Sequence, residues 1–180
     1  MIVRSPELIP NPDVSVFIIT YNQEYTIAQT IESILEQEGD FTLELVIGED
    51  CGKDGTREIC KKYQQKYPDR ITLLLQDTNQ GITKNYIDTL RLCRGKYINV
   101  CAGDDYWCNK QKLAKQLAFF AENPDYGVVT TDGYRLLVEK NVFMKGIPPL
   151  HPVPDGNVFD KTWRGGVYAM PLSLLFKAEL

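Results

Sequence analysis

The sequence predicts an α/β protein with a mostly parallel sheet and helices on both faces, and three observations carry that prediction. Short apolar runs rich in β-branched residues alternate with longer segments of helical period from residue 14 to residue 132. The runs are almost continuously apolar, as strands buried on both faces are, instead of alternating as half-exposed strands do. Polar clusters follow three of these runs directly, and an open parallel sheet gathers its ligand groups at that end of its strands.

Each element has its own justification. Residues 1–13 hold Pro6, Pro10 and Pro12 and read as an extended lead-in. Val14 to Thr20 is the first buried strand. From Glu24 to Gln37, Ile27, Ile31, Ile34 and Leu35 recur at helical spacing, and Gly39 closes the segment. Leu43 to Ile47 is the second strand, a polar turn spans Glu49 to Gly55, and a helix runs from Thr56 to Tyr67, where Pro68 stops it. Ile71 to Leu75 is the third strand, followed by a helix from Gly81 to Cys93. Lys96 to Ala102 is the fourth, ending in Gly103-Asp104-Asp105-Tyr106-Trp107. Asn109 is placed to cap a helix carrying Leu113, Leu117, Phe119 and Phe120, which Asn123-Pro124 ends, and Tyr126 to Thr131 is a fifth strand.

After Asp132 the regularity fades. The prolines and glycines of residues 146–157 read as a loop, Phe159 to Met170 as an extra strand, and Pro171 to Lys177 as the start of a last helix. The stop at Leu180 without a terminating signal reads as the edge of a longer protein.

Composition narrows the function classes. With 43% hydrophobic and 24% charged residues the chain is ordinary globular material, which excludes a disordered or low-complexity protein. A net charge of −4 excludes a polybasic nucleic-acid binder. Five cysteines without a C-x-x-C pair, and the single histidine His151, offer no zinc spacing and favour reduced thiols in a cytoplasmic protein. No stretch reaches the roughly 18 apolar residues of a membrane span, which leaves peripheral membrane attachment open. Neither G-x-G-x-x-G nor G-x-x-x-x-G-K-[ST] occurs, which weighs against dinucleotide oxidoreductases and P-loop phosphotransferases.

The candidate chemistry lies in the clusters after the strands. Asp104-Asp105 suits a hard divalent cation that takes one or two carboxylates and completes its shell with diphosphate oxygens and water; alternatively one Asp caps a turn and the other is solvated. Glu49 to Thr56 is either a helix-capping loop or a place where Asp50 accepts from a base or ribose. Asn79 to Asn85 opens a helix that could hold a phosphate with Lys84, or is an Asn-Gly turn with a solvated lysine. Tyr106, Trp107 and Trp163 are candidates for a sugar-stacking platform or simply for packing. His151 reads as a surface loop residue and the cysteines as core filler.

Taken in order, the clusters resemble the family 2 glycosyltransferases of GT-A fold. Val14 to Asn22 looks like that family's opening strand ending in Thr-Tyr-Asn, and Glu49 to Thr56 is similar to its Asp-Asp-Gly-Ser-x-Asp-Gly-Thr motif. Asn79-x-Gly81 matches the Asn-x-Gly before its third helix, and Gly103-Asp104-Asp105 stands where it carries the D-x-D metal motif. The resemblance implies a Rossmann-like donor-binding half over residues 14–132 and the start of an acceptor half over 133–180. It implies Thr20, Asn22 and Glu49 in the nucleotide pocket, Asp50 on the base, Lys84 on the diphosphate, Asp104 near the ribose or sugar, and Asp105 on Mg²⁺ or Mn²⁺. The implied activity is inverting transfer of a hexosyl or N-acetylhexosaminyl group to a hydroxyl. The donor is a nucleotide-sugar, UDP favoured over GDP, and the acceptor a glycan or glycolipid in bacterial-type surface polysaccharide synthesis at the cytoplasmic face of the membrane.

Two departures qualify the match. Glu49 replaces the family's first Asp and Cys51-Gly52 its Gly-Ser. Arg164 to Met170 looks like the start of the acceptor half, but no Glu-Asp pair follows, so the catalytic base is expected beyond Leu180, with Asp155 and Asp160 poor substitutes. The alternative is a sugar-nucleotide-binding or interaction module on the same fold that activates no acceptor.

Overall fold

The computed structural model describes residues 1–137, 142–145 and 171–179. Strands β1 (Ile2–Val3), β2 (Val14–Thr20), β3 (Leu43–Glu49), β4 (Ile71–Leu75) and β5 (Tyr97–Ala102) alternate with helices α1 (Ile27–Leu35), α2 (Thr56–Lys66) and α3 (Ile82–Leu90) from β2 onward. Helix α4 (Lys112–Glu122) and strands β6 (Val128–Val129), β7 (Tyr134–Leu137), β8 (Val142–Lys145) and β9 (Leu175–Lys177) follow. The main sheet runs β1-β4-β3-β2-β5-β9-β6, and β7 pairs with β8 in a separate ribbon. Its four central strands are parallel, while β1, β9 and β6 attach antiparallel at the two sides.

Strand alternation sorts the apolar residues into two cores. Val14, Val16, Ile18, Leu45, Ile47, Leu73 and Leu75 pack with Ile27, Ile31 and Ile34 of α1, Cys60 of α2 and Leu113 and Phe120 of α4. Phe17, Val46, Ile98 and Val100 point the other way, against Tyr86 and Leu90 of α3. Helices therefore cover both faces, and the one-residue alternation fixes the register, since a slip would exchange the two cores.

The opposite rim from the strands' carboxyl ends is held by charge. Glu44 is buried and accepts from Ser15 Oγ at 2.5 Å, Arg94 N at 2.7 Å, Arg94 Nε at 2.9 Å and Arg94 Nη2 at 2.6 Å. The Arg94 fork thus satisfies a carboxylate that would otherwise be stranded between β2 and β3.

Several expectations need correction. The lead-in contributes a strand, β1, and just before it the Met1 ammonium donates to Leu75 O at 2.6 Å. Helix α1 starts at Ile27, because Thr26 N and Ile27 N both donate to Gln23 O and turn the chain before the helix begins. Asn109 does not cap α4; Gln111 stands at the cap, while Asn109 Oδ1 accepts from Gln111 N at 2.9 Å in a turn just before it. The fifth strand shrinks to Val128–Val129, and Tyr134–Leu137 pairs with Val142–Lys145 where loss of regularity was expected. Pro171 to Lys177 is not a helix: Pro171–Ser173 makes one 3-10 turn, and Leu175–Lys177 pairs with both β5 and β6. The strand expected over Phe159 to Met170 lies outside the described residues, as do His151, Asp155, Asp160 and Trp163.

A candidate nucleotide-sugar and metal site at the strand ends

Register brings the candidate residues to one rim. Thr20 pairs with Glu49, Glu49 with Leu75, and Ile19 with Ala102, so the loops after β2, β3, β4 and β5 leave the sheet side by side. The ladder continues into them: Asp50 N donates to Thr20 O at 3.0 Å, Gln76 N to Glu49 O at 3.0 Å and Gly103 N to Ile19 O at 3.1 Å.

Side chains then lace the loops together. Asn22, at φ 53°, uses Oδ1 to accept from Lys53 N at 2.7 Å. Gln23 N donates to Thr56 Oγ1 at 2.7 Å, Glu24 N donates to Asp54 Oδ2 at 3.0 Å, and the Glu24 carboxylate accepts from Gly55 N at 2.6 Å. Cys51 also has a positive φ of 58°, a conformation that asparagine tolerates and cysteine rarely adopts, so the surrounding bonds hold it there.

Glu49 and Asp50 are buried, and each holds main chain. Glu49 accepts from Gly52 N at 2.5 Å and pairs with Arg57 Nε, while Arg57 Nη2 reaches Gln76 O at 2.5 Å. Asp50 splits its two oxygens between Gln80 N at 2.7 Å and Gly81 N at 2.9 Å. The carboxylate therefore fixes the turn that opens α3, where Gly81 takes a φ of 80°. Asp50→Ala should leave Gln80 N without this acceptor, while Gly81 N keeps Asn79 Oδ1 at 3.0 Å, and lower stability by about 1–3 kcal/mol, measured by urea unfolding, with faster amide exchange at Gln80.

The metal-motif loop is seated by α1. Thr26 Oγ1 and Thr30 Oγ1 donate to Gly103 O at 2.8 and 3.0 Å, and Trp107 N donates to Ser33 Oγ at 3.1 Å. Thr20 Oγ1 donates to Gln23 Oε1 at 2.7 Å directly against Gly103, where an added Cβ would come within 2.3 Å of Gln23 Oε1 and 2.7 Å of Thr20 Oγ1. Glycine is required there by that close approach.

Asp104 is exposed, and Asp105 is partly covered. Burial, and after it the charge of Asp104, raises the Asp105 carboxyl above its ordinary value. A divalent cation would relieve that crowding, and the hard oxygens of the pair suit Mg²⁺ or Mn²⁺. Among the described residues no three or more His, Cys, Asp or Glu gather around a common point. A cation held here would take one or two carboxylates and complete its shell from ligand oxygens and water.

The structure therefore brings together Thr20, Asn22, Glu49, Asp50, Asp104 and Asp105 at one rim. Lys84 projects from the first turn of α3 and pairs with Asp88. The stacking expectation for Trp107 is overturned, since its ring is buried, its Nε1 donates to Leu172 O at 3.2 Å, and Lys112 Nζ sits 4.1 Å from the ring centroid. Cys60 and Cys101 are core residues, and burial pushes the Cys60 thiol up to about 12. The sequence assigns no such role to Gln23 and Glu24, whose only signal is their place beside the clusters, while Asp54, expected as a helix cap, accepts from Thr56 N at 3.0 Å as well as from Glu24 N.

Comparison with known proteins converges on the same fold. The family described as Glycosyl transferase family 2 matches residues 15–148. EpsE of Bacillus subtilis (strain 168), whose glycosyltransferase name is itself provisional, is 36% identical over 150 residues, 83% of this chain and 52% of EpsE. The mannosyltransferase PcManGT of Pyrobaculum calidifontis, solved with GDP-Man and Mn²⁺, superimposes with a TM-score of 0.61 at 25% identity, over 77% of this chain and 40% of PcManGT. S. aureus TarS 1-349, solved with UDP-GlcNAc, shares the fold with a TM-score of 0.66 at 24% identity, over 92% of this chain and 45% of that one. The chain thus spans about half the length of these proteins or less. With the family match covering most of its length and its parallel sheet placing the motif residues at one rim, the chain belongs to glycosyltransferase family 2.

Proposed function

We propose that residues 14–132 are the donor-binding half of an inverting glycosyltransferase, with residues from 133 onward opening the acceptor half. The convergence of the Thr20, Asp50 and Asp104-Asp105 loops at one rim carries the proposal. Support comes from PcManGT, solved with GDP-Man and Mn²⁺, and from TarS, solved with UDP-GlcNAc. Thr20, Asn22 and the loop shaped by Glu49 and Asp50 would receive the nucleoside, Asp104 the ribose or sugar, and Asp105 a Mg²⁺ or Mn²⁺. The cation, when bound, offsets negative charge on the diphosphate as it departs. Lys84 serves the diphosphate only after leaving Asp88. A carboxylate of the acceptor half would take the proton from the attacking hydroxyl; no described residue is assigned to that task. TuaG of Bacillus subtilis (strain 168), named for teichuronic acid biosynthesis and 34% identical over 128 residues, favours a surface-glycan or glycolipid acceptor. Five free thiols favour a reducing, cytoplasmic setting, compatible with peripheral membrane association. No described helix is long and apolar enough to cross a membrane.

Calorimetric titration of UDP, then GDP, with and without Mn²⁺ tests the proposal. Binding at least about tenfold tighter with metal is the expected result, and UDP is expected to bind more tightly than GDP. Absence of binding by either nucleotide in the presence of Mn²⁺ would refute an intact donor site.

A further inference from the structure

A buried polar group beneath α4 has no counterpart in the donor site. Gln116 and Lys112 of α4, Trp107 and Asn99 are all buried, and the donors of Trp107, Gln116 and Asn99 converge on consecutive main-chain carbonyls of one segment. Trp107 Nε1 donates to Leu172 O at 3.2 Å, Gln116 Nε2 to Ser173 O at 2.9 Å, and Asn99 Nδ2 to Leu174 O. Gln116 is itself oriented, because Lys112 Nζ donates to its Oε1 at 2.9 Å while lying over the Trp107 ring. Burial pushes the Lys112 ammonium down to about 7, a cost that apolar filler would avoid. Bonds to carbonyls hold a segment's path whatever its side chains, so the group fixes where the chain enters β9.

Trp107 stands two residues beyond Asp105, and its two nitrogens face different anchors. The main-chain N–H is held by Ser33 of α1, and the indole N–H by Leu172 O. With Gly103 fixed by Thr26 and Thr30, the indole bond ties the Asp104-Asp105 loop to the returning segment.

We infer that Trp107 and Gln116 are positioning residues for the metal-binding carboxylates, setting the Asp104-Asp105 loop against the main chain of Leu172–Leu174. The inference rests on the donor-site proposal above, since it assigns the loop's position to cation binding. Loss of a supporting hydrogen bond behind a metal ligand commonly weakens the metal about 10- to 100-fold.

The test uses the chain with UDP as probe, titrated with and without Mn²⁺, in wild type, Trp107→Phe and Gln116→Glu. The first variant keeps a ring and loses the indole donor. The second keeps an acceptor for Lys112 and loses the donor to Ser173. Arg94→Met, at the opposite rim, serves as a variant destabilised elsewhere. The expected result is about tenfold weaker Mn²⁺-supported binding in both test variants, with metal-free affinity within about twofold of wild type and the Arg94→Met metal enhancement unchanged. An unchanged enhancement in the test variants, or an equal loss in all three, overturns the inference while leaving the donor site standing. Absence of metal enhancement in wild type overturns both. Should Trp107→Phe fail to fold, Gln116→Glu decides.

Discussion

Asp105→Asn should make the unliganded chain more stable at neutral pH and abolish the metal-dependent part of its stabilisation by Mn²⁺ with UDP. Because burial and the Asp104 charge raise the Asp105 carboxyl above its ordinary 3.8, the folded chain holds that proton more tightly than the unfolded chain does. The stability linked to it is complete below pH 3.8 and is lost as pH rises through the raised value. Asparagine carries no charge to crowd, so the variant's melting temperature should exceed wild type at pH 7, with the gap closing toward about pH 3. The ligand effect is larger. A ligand at a hundred times its Kd stabilises by about 2.7 kcal/mol, or about 5 to 10 °C in a chain of this size. Thermal melts with Mn²⁺ and UDP should show that rise in wild type and lose its metal-dependent part in Asp105→Asn. Equal rises in the two proteins would remove Asp105 from the site.

Central strands and their order along the chain were legible because their signal is local: Val14 to Thr20 and Ile71 to Leu75 are almost continuously apolar and end at polar turns. Strand β9 was not. Pro171 followed by Leu, Ser, Leu, Leu and Phe fits a helix start as well as a strand, and only pairing with β5 and β6 decides between them. The site shows the same division. Asp104 and Asp105 announce themselves as adjacent carboxylates, whereas the work of Asp50 depends on Gln80 and Gly81 arriving from another loop. Trp107 misled for the same reason: nothing in its neighbours reveals that Leu172 O will meet its indole nitrogen.

Arg94→Met should be the most destabilising single change at the rim opposite the site, costing about 3 kcal/mol, or about 6 to 12 °C in melting temperature. Glu44 is buried and cannot be rehydrated where it lies, while Arg94 supplies both a side-chain fork and its own main-chain N–H. Methionine keeps the N–H and the Ser15 hydroxyl bond but removes the positive charge, leaving a buried carboxylate without a counter-ion. Arg94 is itself about one-third exposed, at 31%, so water enters from its side and holds the cost near the lower end for a broken buried pair. The pair itself is worth much less than the loss on breaking it. Glu44→Leu combined with Arg94→Met removes both charges and should recover most of the stability, a non-additivity that urea unfolding of the four-protein cycle would measure. Additive losses would mean that Glu44 finds other compensation when Arg94 is gone. Since this rim lies at the far ends of β2 and β3 from Asp105, the Arg94→Met variant separates lost stability from lost metal affinity, which the Trp107 and Gln116 variants require.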